Sequence, residues 1–496
     1  MRQSLELTKR EQDAIAEHLA KKGLPLHMGV TFRDVYFPER YSDIRSRAEI
    51  GDFSTDLAGI TLNIPFIAAN MESVVGAELA VALEREGGLA IPPQTLPLER
   101  RLAMLEQIRR ADSAFIEKPL CIRLNRSLKD AKQVMREFNV NTLIVVDAKN
   151  RPVGVLSGRD WRYESDENAV VKELMGGGRI RTLITAPHGI SFARAAEILR
   201  KNRVEKLPLI DTKGALAGLI TAHGLFYSTY HPRAMRDGKG QFLRIGSIGV
   251  GRTFAAKHLR EVEAQAEKGI AALLIDTARA CSVNTEEAVK QIKKRFKLPL
   301  IVGNVSTALG AKHLFEWGAD AVKVNQGRGH VCRTSEIGVG TPQITAIAEC
   351  KAIADLYGGQ VIGDGGMKSP GDMVKALIAG ADALMTGYQF VRTRESAAPL
   401  QFNKDGLPIK IYEGSASFAA QAKRVGTGTL DHLRRPEGVA EEVVVTGTVA
   451  EQVEDLLNGF RSAMSYLGVR SLKDLREKGV LKLQTAAGHF EGIKKA

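Results

Sequence analysis

From Leu243 onward, short apolar runs alternate with amphipathic segments, and this alternation limits the fold more than any other feature of the chain. The runs are FLRIGSIGV, AALLIDTA, PLIVGNVS, AVKVNQG, QVIGDGG and ALMTGY. Between them lie helical patterns such as EEAVKQIKKRF, TALGAKHLFEWG and SPGDMVKALIAG. Strands that alternate with helices at this spacing predict βα units and a parallel sheet. Earlier in the chain, PFIAANM and GLAIPPQ read as two further strands, with AELAVALEREGG as the helix between them. That makes about eight strand–helix units, and the economical α/β solution is a (β/α)8 TIM barrel. A doubly wound sheet is the alternative. It calls for a glycine-rich dinucleotide turn after a strand, and GSIGVG (Gly246, Gly249, Gly251) has the wrong spacing.

Between the two groups of strands lies a repeat. RSLKDAKQVMREFNVNTLIVVDAKNRPVGVLSGRD is followed by ISFARAAEILRKNRVEKLPLIDTKGALAGLITAHG. Ser127, Ala131, Asp147 and Gly154 recur 64 positions later as Ser191, Ala195, Asp211 and Gly218. Each copy reads as an amphipathic helix, a short apolar strand ending in Asp, a turn and a second strand. The copies resemble paired CBS modules, over about residues 115–232. That resemblance implies a cleft for ATP or GTP, and a spacer with empty clefts is the plainer reading. The expected organisation is barrel over 1–114, the paired module over 115–232, and barrel with catalytic loop and flap over 233–496.

The chain has 496 residues, of which 44% are hydrophobic and 26% charged, which is ordinary for a globular protein. No apolar run approaches the roughly 18 residues that span a bilayer. The opening MRQSLELTKREQDAIAEHLAKKG carries charges of both signs and no apolar signal core. The four cysteines, Cys121, Cys281, Cys332 and Cys350, show no disulfide or zinc spacing, so a reducing, cytoplasmic setting and no metal site are expected. The net charge of +13 is spread along the chain without a basic block. It fits a surface that attracts small anions better than one that binds nucleic acid.

A barrel carries its chemistry at the C-terminal ends of its strands. Asp276 ends LLID, Asn304 ends IVGN, Lys323 lies in AVKV, Asp364 opens DGG, and Gly387 and Tyr388 close the last unit. DGG offers a carboxylate for ribose hydroxyls and backbone N–H groups for a phosphate. Its plainer reading is a strand-to-helix turn that needs glycine. Cys332 follows a strand and a Gly-x-Gly loop, with His330 and Arg333 beside it in the sequence, and reads as a nucleophile. Cys350, in AIAECKAIA, reads as a structural helix residue, and Cys281, in RACSVN, is the weaker competitor.

FRDVYF, AANMESV, LLIDTARACS, IVGNVSTA, VKVNQGRGHVCRTSEIGVGTPQITAIAEC, IGDGGMKSPGDMVKALIAGADALMTG, YEGSAS and LNGFRSAMSYLGVRSLKDL occur in order. From about residue 28 to the end they resemble the IMP dehydrogenase/GMP reductase family. The resemblance implies a barrel with a CBS pair inserted, assembled as a tetramer that sometimes pairs into an octamer. It implies that Cys332 attacks C2 of a purine nucleotide and that Thr334 and Glu395 handle protons on the leaving group. It places Met71, Asn304, His330, Asp364, Gly365, Gly366, Gly387 and Tyr388 around the substrate. Asp276, Thr277, Ser282 and Lys323 fall around the nicotinamide cofactor, NADPH or NAD. It also allows a K+ ion at Gly327, Gly329 and Cys332.

Both family reactions pass through a purine–cysteine adduct. The dehydrogenase hydrolyses it with an Arg-Tyr pair on a flap, and FAAQAKRVGTGTLDHLRRP contains no such pair. This favours the reductase direction, GMP to IMP with loss of ammonia. AANM, and EGGLAIPPQTLP with TAAGHFEG, resemble the CBS-bearing bacterial GMP reductases. IMP dehydrogenase and a non-catalytic nucleotide-sensing homologue are the alternatives. The family's Gly-x-Gly-Pro-Gly-Ser loop is here Asn325-Gln326-Gly327-Arg328-Gly329-His330, so the phosphate-binding serine is a histidine and the rigid proline an arginine.

Overall fold

A computed structural model describes residues 6–111, 114–138, 140–175, 183–237, 240–251, 254–417 and 438–492. The chain divides into two compact units. One comprises Met1–Ile108, Arg233–Met235 and Leu243–Ala496, and the other Arg109–Pro232 and Arg236–Phe242.

The first unit is built on eight strands: β1 (Phe66–Ala68), β2 (Leu89–Ala90), β3 (Ile245–Ile248), β4 (Ala272–Asp276), β5 (Leu300–Val305), β6 (Ala321–Val324), β7 (Gln360–Asp364) and β8 (Ala383–Thr386). They pair in the order β3-β4-β5-β6-β7-β8-β1-β2, and every ladder is parallel. This is the expected TIM barrel. Strands covered on both faces have no polar side to present, so they read as continuous apolar runs. Ile67, Leu89, Ile245, Leu274, Ile301, Ala321, Ile362 and Met385 fill the interior as one cluster. The hairpin Thr55–Leu57 and Ile60–Leu62 adds Leu57, Ala58, Ile60 and Leu62 to that cluster.

β3 and β2 are the two ends of the strand order. Side chains staple this seam. Ser247 Oγ donates to the Pro92 carbonyl at 2.5 Å. Arg101, almost fully buried, donates to the Ser247 carbonyl at 2.5 Å and to Glu261 Oε2 at 2.6 Å. Removing the guanidinium takes one of two donors from the Ser247 carbonyl, which Gln265 Nε2 also meets at 3.1 Å, and strips a half-buried carboxylate of its cation. Arg101→Met is therefore expected to lower unfolding free energy by about 2–3 kcal/mol, below the full cost of breaking a buried ion pair because Glu261 stays in contact with water. Urea denaturation reads this as a lower midpoint, and an unchanged midpoint would show that the ladders alone close the barrel.

The helices start where the sequence signals them. Pro370–Ala379 opens with Ser369 and Asp372 in a reciprocal cap and Pro370 in the first turn. Val449–Leu467 opens with Thr448 and Glu451 in the same arrangement.

In the second unit each repeat copy forms the expected elements. These are Leu128–Glu137, Thr142–Val146 and Pro152–Ser157, then Phe192–Asn202, Lys206–Ile210 and Leu216–Thr221. The four repeated positions have physical reasons. Ser127 and Ser191 accept from Asp130 N and Arg194 N as N-caps. Ala131 and Ala195 are fully buried. Asp147 Oδ1 accepts from Lys149 N and Arg151 N, and Asp211 Oδ1 from Lys213 N and Ala215 N, so one carboxylate ties each turn. A Cβ at Gly154 would meet Met175, and one at Gly218 would meet Phe115. Ile144, Val146 and Leu219 join the two sheets in one cluster.

Among the described residues, no helix is long and apolar enough to cross a membrane. Among them, no cluster of three His, Cys, Asp or Glu is placed to hold a metal ion.

Candidate active site

The C-terminal ends of the barrel strands surround a cavity of about 250 Å3. Its floor is a charge network. Lys323 points from β6 between the carboxylates that end β4 and β7. Its Nζ lies 3.0 Å from Asp276 Oδ1 and 2.9 Å from Asp364 Oδ2. Asn70 donates to Asp276 Oδ2 at 2.9 Å, and Asn304 donates to Asp364 Oδ2 at 2.8 Å. Asn325 donates to the Asp364 carbonyl. Burial alone would push the lysine down, but the two carboxylates more than offset this and hold it above its ordinary range. The Lys323 side chain is 5% exposed, whereas Asp276 keeps 22% and Asp364 17%, so both carboxylates still reach the cavity. Two carboxylates thus present acceptor oxygens to one cavity from the C-terminal ends of two strands.

The loop after β6 carries the thiol. Asn325 Oδ1 accepts from Arg328 N at 2.9 Å, and Cys332 N donates to the Gly329 carbonyl at 3.2 Å. Cys332 Sγ lies 3.3 Å from Thr334 Oγ1. The cationic neighbours expected of the thiol engage elsewhere. Arg333 Nε is 3.4 Å from Glu336 Oε1, and His330 Nε2 is 2.8 Å from Glu441 Oε2. The strand Ala440–Val444 and the residues before it hold this loop. Gly438 bridges Cys332, and Val439 N donates to the Val331 carbonyl at 3.0 Å.

Next to the thiol, the turns after β7 and β8 form a cradle of backbone. Gly365 and Gly366 take φ of +77° and +79°, a region that favours glycine. A Cβ at Gly366 would lie 2.9 Å from the Arg328 carbonyl, and one at Gly387 would collide with Tyr412 Oη. Lys368 and Tyr388 complete the wall. In barrels of this kind, the loops after strands seven and eight are where a phosphate is held.

The cavity brings together Met71, Asp276, Asn304, Lys323, Gly327, Gly329, His330, Cys332, Thr334, Asp364, Gly365, Gly366, Gly387 and Tyr388. Three expected site residues are placed otherwise. Both Glu395 oxygens accept from Val449 N, at 3.2 and 3.0 Å, so the carboxylate sits at the start of the helix Val449–Leu467, where the helix dipole favours it. Ser282 precedes the helix Val283–Arg295, with its hydroxyl 3.1 Å from that of Thr285. Thr277 ties the ends of β4 and β5 through its backbone. The stretch expected to be the flap, 418–436, lies outside the described residues. Asn70, Gln326, Lys368, Tyr412 and Glu441 were not singled out in the sequence. Asn70 and Tyr412 sit inside the motifs AANM and YEGSAS, whereas no local pattern marks Glu441.

Comparison with known proteins agrees with this geometry. The family profile described as "IMP dehydrogenase / GMP reductase domain" matches residues 29–494. An inosine-5'-monophosphate dehydrogenase of Aquifex aeolicus is 37% identical over 473 residues, covering 93% of this chain and 94% of that protein. Its counterpart in Nitrosopumilus maritimus is 36% identical, covering 93% of this chain and 97% of that protein. Among solved structures, a Cys-to-Ala variant of GMP reductase from Trypanosoma brucei, in complex with guanosine 5'-monophosphate, superposes with a TM-score of 0.86 at 29% identity. That match covers 95% of this chain and 98% of the other. A parallel barrel with a cysteine loop, a glycine cradle and two carboxylates sharing a lysine, matched by a family profile over nearly its whole length, makes this chain a purine-nucleotide oxidoreductase of the IMP dehydrogenase/GMP reductase family.

Proposed function

We propose that the protein is a GMP reductase that converts GMP to IMP and ammonia at the expense of NADPH. The observation that carries this reading is the Cys332–Thr334 pair opening on the cavity, combined with a flap stretch that lacks a water-activating Arg-Tyr pair. The Cys332 thiolate adds to C2 of the purine, and the 2-amino group leaves as ammonia after gaining a proton. Thr334, at the sulfur, is the residue positioned to pass that proton. With no group to activate water, the adduct is held for hydride, whose arrival at C2 expels the thiolate and yields IMP. The nicotinamide cofactor supplies that hydride when bound. Asp276 suits its ribose because the carboxylate remains partly open to the cavity. Asp364 and the cradle of Gly365, Gly366 and Gly387 suit the ribose and phosphate of the substrate.

The dehydrogenase direction, IMP with NAD and water to XMP, is the second reading, and the names of the two sequence relatives favour it. Purified protein with GMP and NADPH is expected to lose absorbance at 340 nm and release ammonia. Turnover of IMP with NAD, and none of GMP, would replace the first reading with the second.

We also propose that the second unit is a paired CBS module that binds a purine nucleotide. It holds a cavity of about 840 Å3 lined by Arg110, Arg159, Arg162, Lys206 and His223, a cationic set suited to phosphates. The same assay, run with and without ATP or GTP, reads this out as a change in rate or KM.

A further inference from the structure

Glu441 stands outside the cavity lining, half exposed, and reaches the site through His330. A carboxylate beside a phosphate site repels the ligand unless a cation stands between them. Here the neighbouring group is an imidazole, which becomes a cation only when it takes up a proton. His330 Nε2 is 2.8 Å from Glu441 Oε2, and the ring packs against Tyr388 (centroids 4.6 Å apart) and Tyr412 (6.1 Å, nearly parallel). The aromatic walls fix the plane of the ring, and Nε2 faces the carboxylate within ion-pair distance. Both His330 and Lys368 line the cavity with the glycines of the cradle.

We propose that Glu441 is a positioning residue that keeps His330 available as an imidazolium for the substrate phosphate, so that capture of the nucleotide is coupled to uptake of one proton. This rests on the nucleotide reading of the cavity and adds a determinant for one charge state of the ligand, the phosphomonoester dianion. With a neutral imidazole, Glu441 offsets the charge that Lys368 brings to the cradle, whereas a protonated imidazole neutralises Glu441 and gives the phosphate a charge-assisted bond.

The groups that face the ring come from four elements. They are Glu441 on Ala440–Val444, Lys368 in the turn after β7, Tyr388 on Tyr388–Val391, and Tyr412 on Pro408–Glu413. Arg392 lies over the Tyr388 ring at 5.1 Å. Burial pushes the imidazole below its ordinary value, Lys368 adds to this, and Glu441 opposes it. The free protein therefore holds His330 largely neutral near pH 7, and a bound dianion raises it. Affinity must then grow as pH falls between the free and bound values.

The test measures the dissociation constants of GMP and IMP, and of guanosine and inosine, by calorimetry from pH 6.5 to 8.5. This window lies above the second phosphate ionisation, near pH ~6, so the changes report the protein. Wild type is expected to bind the nucleotides about tenfold more weakly at the alkaline end, the scale of one charge-assisted bond exchanged for a neutral one. The nucleosides should show no such slope. His330→Gln should bind nucleotide with a flat profile. Glu441→Gln should shift the slope to lower pH, because the carboxylate is the group that raises the imidazole, and a purely structural contact would not move it. A His330→Gln protein with the wild-type slope overturns this proposal and leaves the nucleotide reading standing. A wild-type protein that binds neither nucleotide overturns both.

Discussion

Cys332→Ala is expected to lower turnover of the purine nucleotide by roughly 10^4-fold or more, the scale on which a covalent nucleophile is lost, while leaving nucleotide affinity nearly unchanged. The sulfur lies against Thr334 Oγ1 on the cavity wall, and the loop that carries it is held from both sides. Alanine removes the sulfur without disturbing the Gly329 and Val439 backbone bonds, which use main-chain atoms of residues 331 and 332. The cradle and carboxylates that would hold the nucleotide stay in place. Two measurements separate chemistry from binding. Rates at 340 nm should fall to background, and intact-protein mass spectrometry should find a nucleotide-sized adduct on wild type and none on the variant. Cys281, exposed and outside the cavity, serves as the control, and Cys281→Ala should keep full activity. Turnover within tenfold of wild type in Cys332→Ala would remove the covalent route.

The second large effect concerns stability. Lys323→Met is expected to destabilise the barrel by about 3–5 kcal/mol at neutral pH, because it leaves two carboxylates at the bottom of the cavity without their shared cation. Thermal unfolding should drop by roughly 4–6 °C for a unit of this size. The pH dependence distinguishes this from a packing defect. In wild type the lysine is raised by Asp276 and Asp364 after burial is offset, so its contribution is complete below its unfolded value and fades only in strong alkali. In the variant one of the unpaired carboxylates takes a raised value instead, so acid relieves it. The deficit should be full at pH 8 and clearly smaller at pH 5.5, and melting curves at both values check this. A deficit equal at both would mean that lost packing, not charge, is responsible.

The legibility of the chain follows the range of the interactions. The strand–helix alternation and the repeat with its Ser, Ala, Asp and Gly positions could be read because each reports contacts a few residues away. The cavity residues were legible to the extent that a barrel gathers its strand ends, so Asp276, Asn304, Lys323 and Asp364 came together. Glu395 illustrates the limit. The family resemblance implies proton transfer there, and the structure places its carboxylate at the start of a helix that begins far along the chain. Nothing local to Glu395 announces Val449.

By itself, then, the sequence determined the architecture of the barrel and the elements of the repeat, because periodicity and turn chemistry are local properties. Only the tertiary structure decided that Lys323 is shared by two carboxylates, that Arg101 staples the seam, and that His330 answers to Glu441 rather than to Cys332. Each of these is a pairing of charges between distant segments. Such a pairing depends on which strands the barrel sets side by side and which way the loops turn, and no spacing along the chain encodes that.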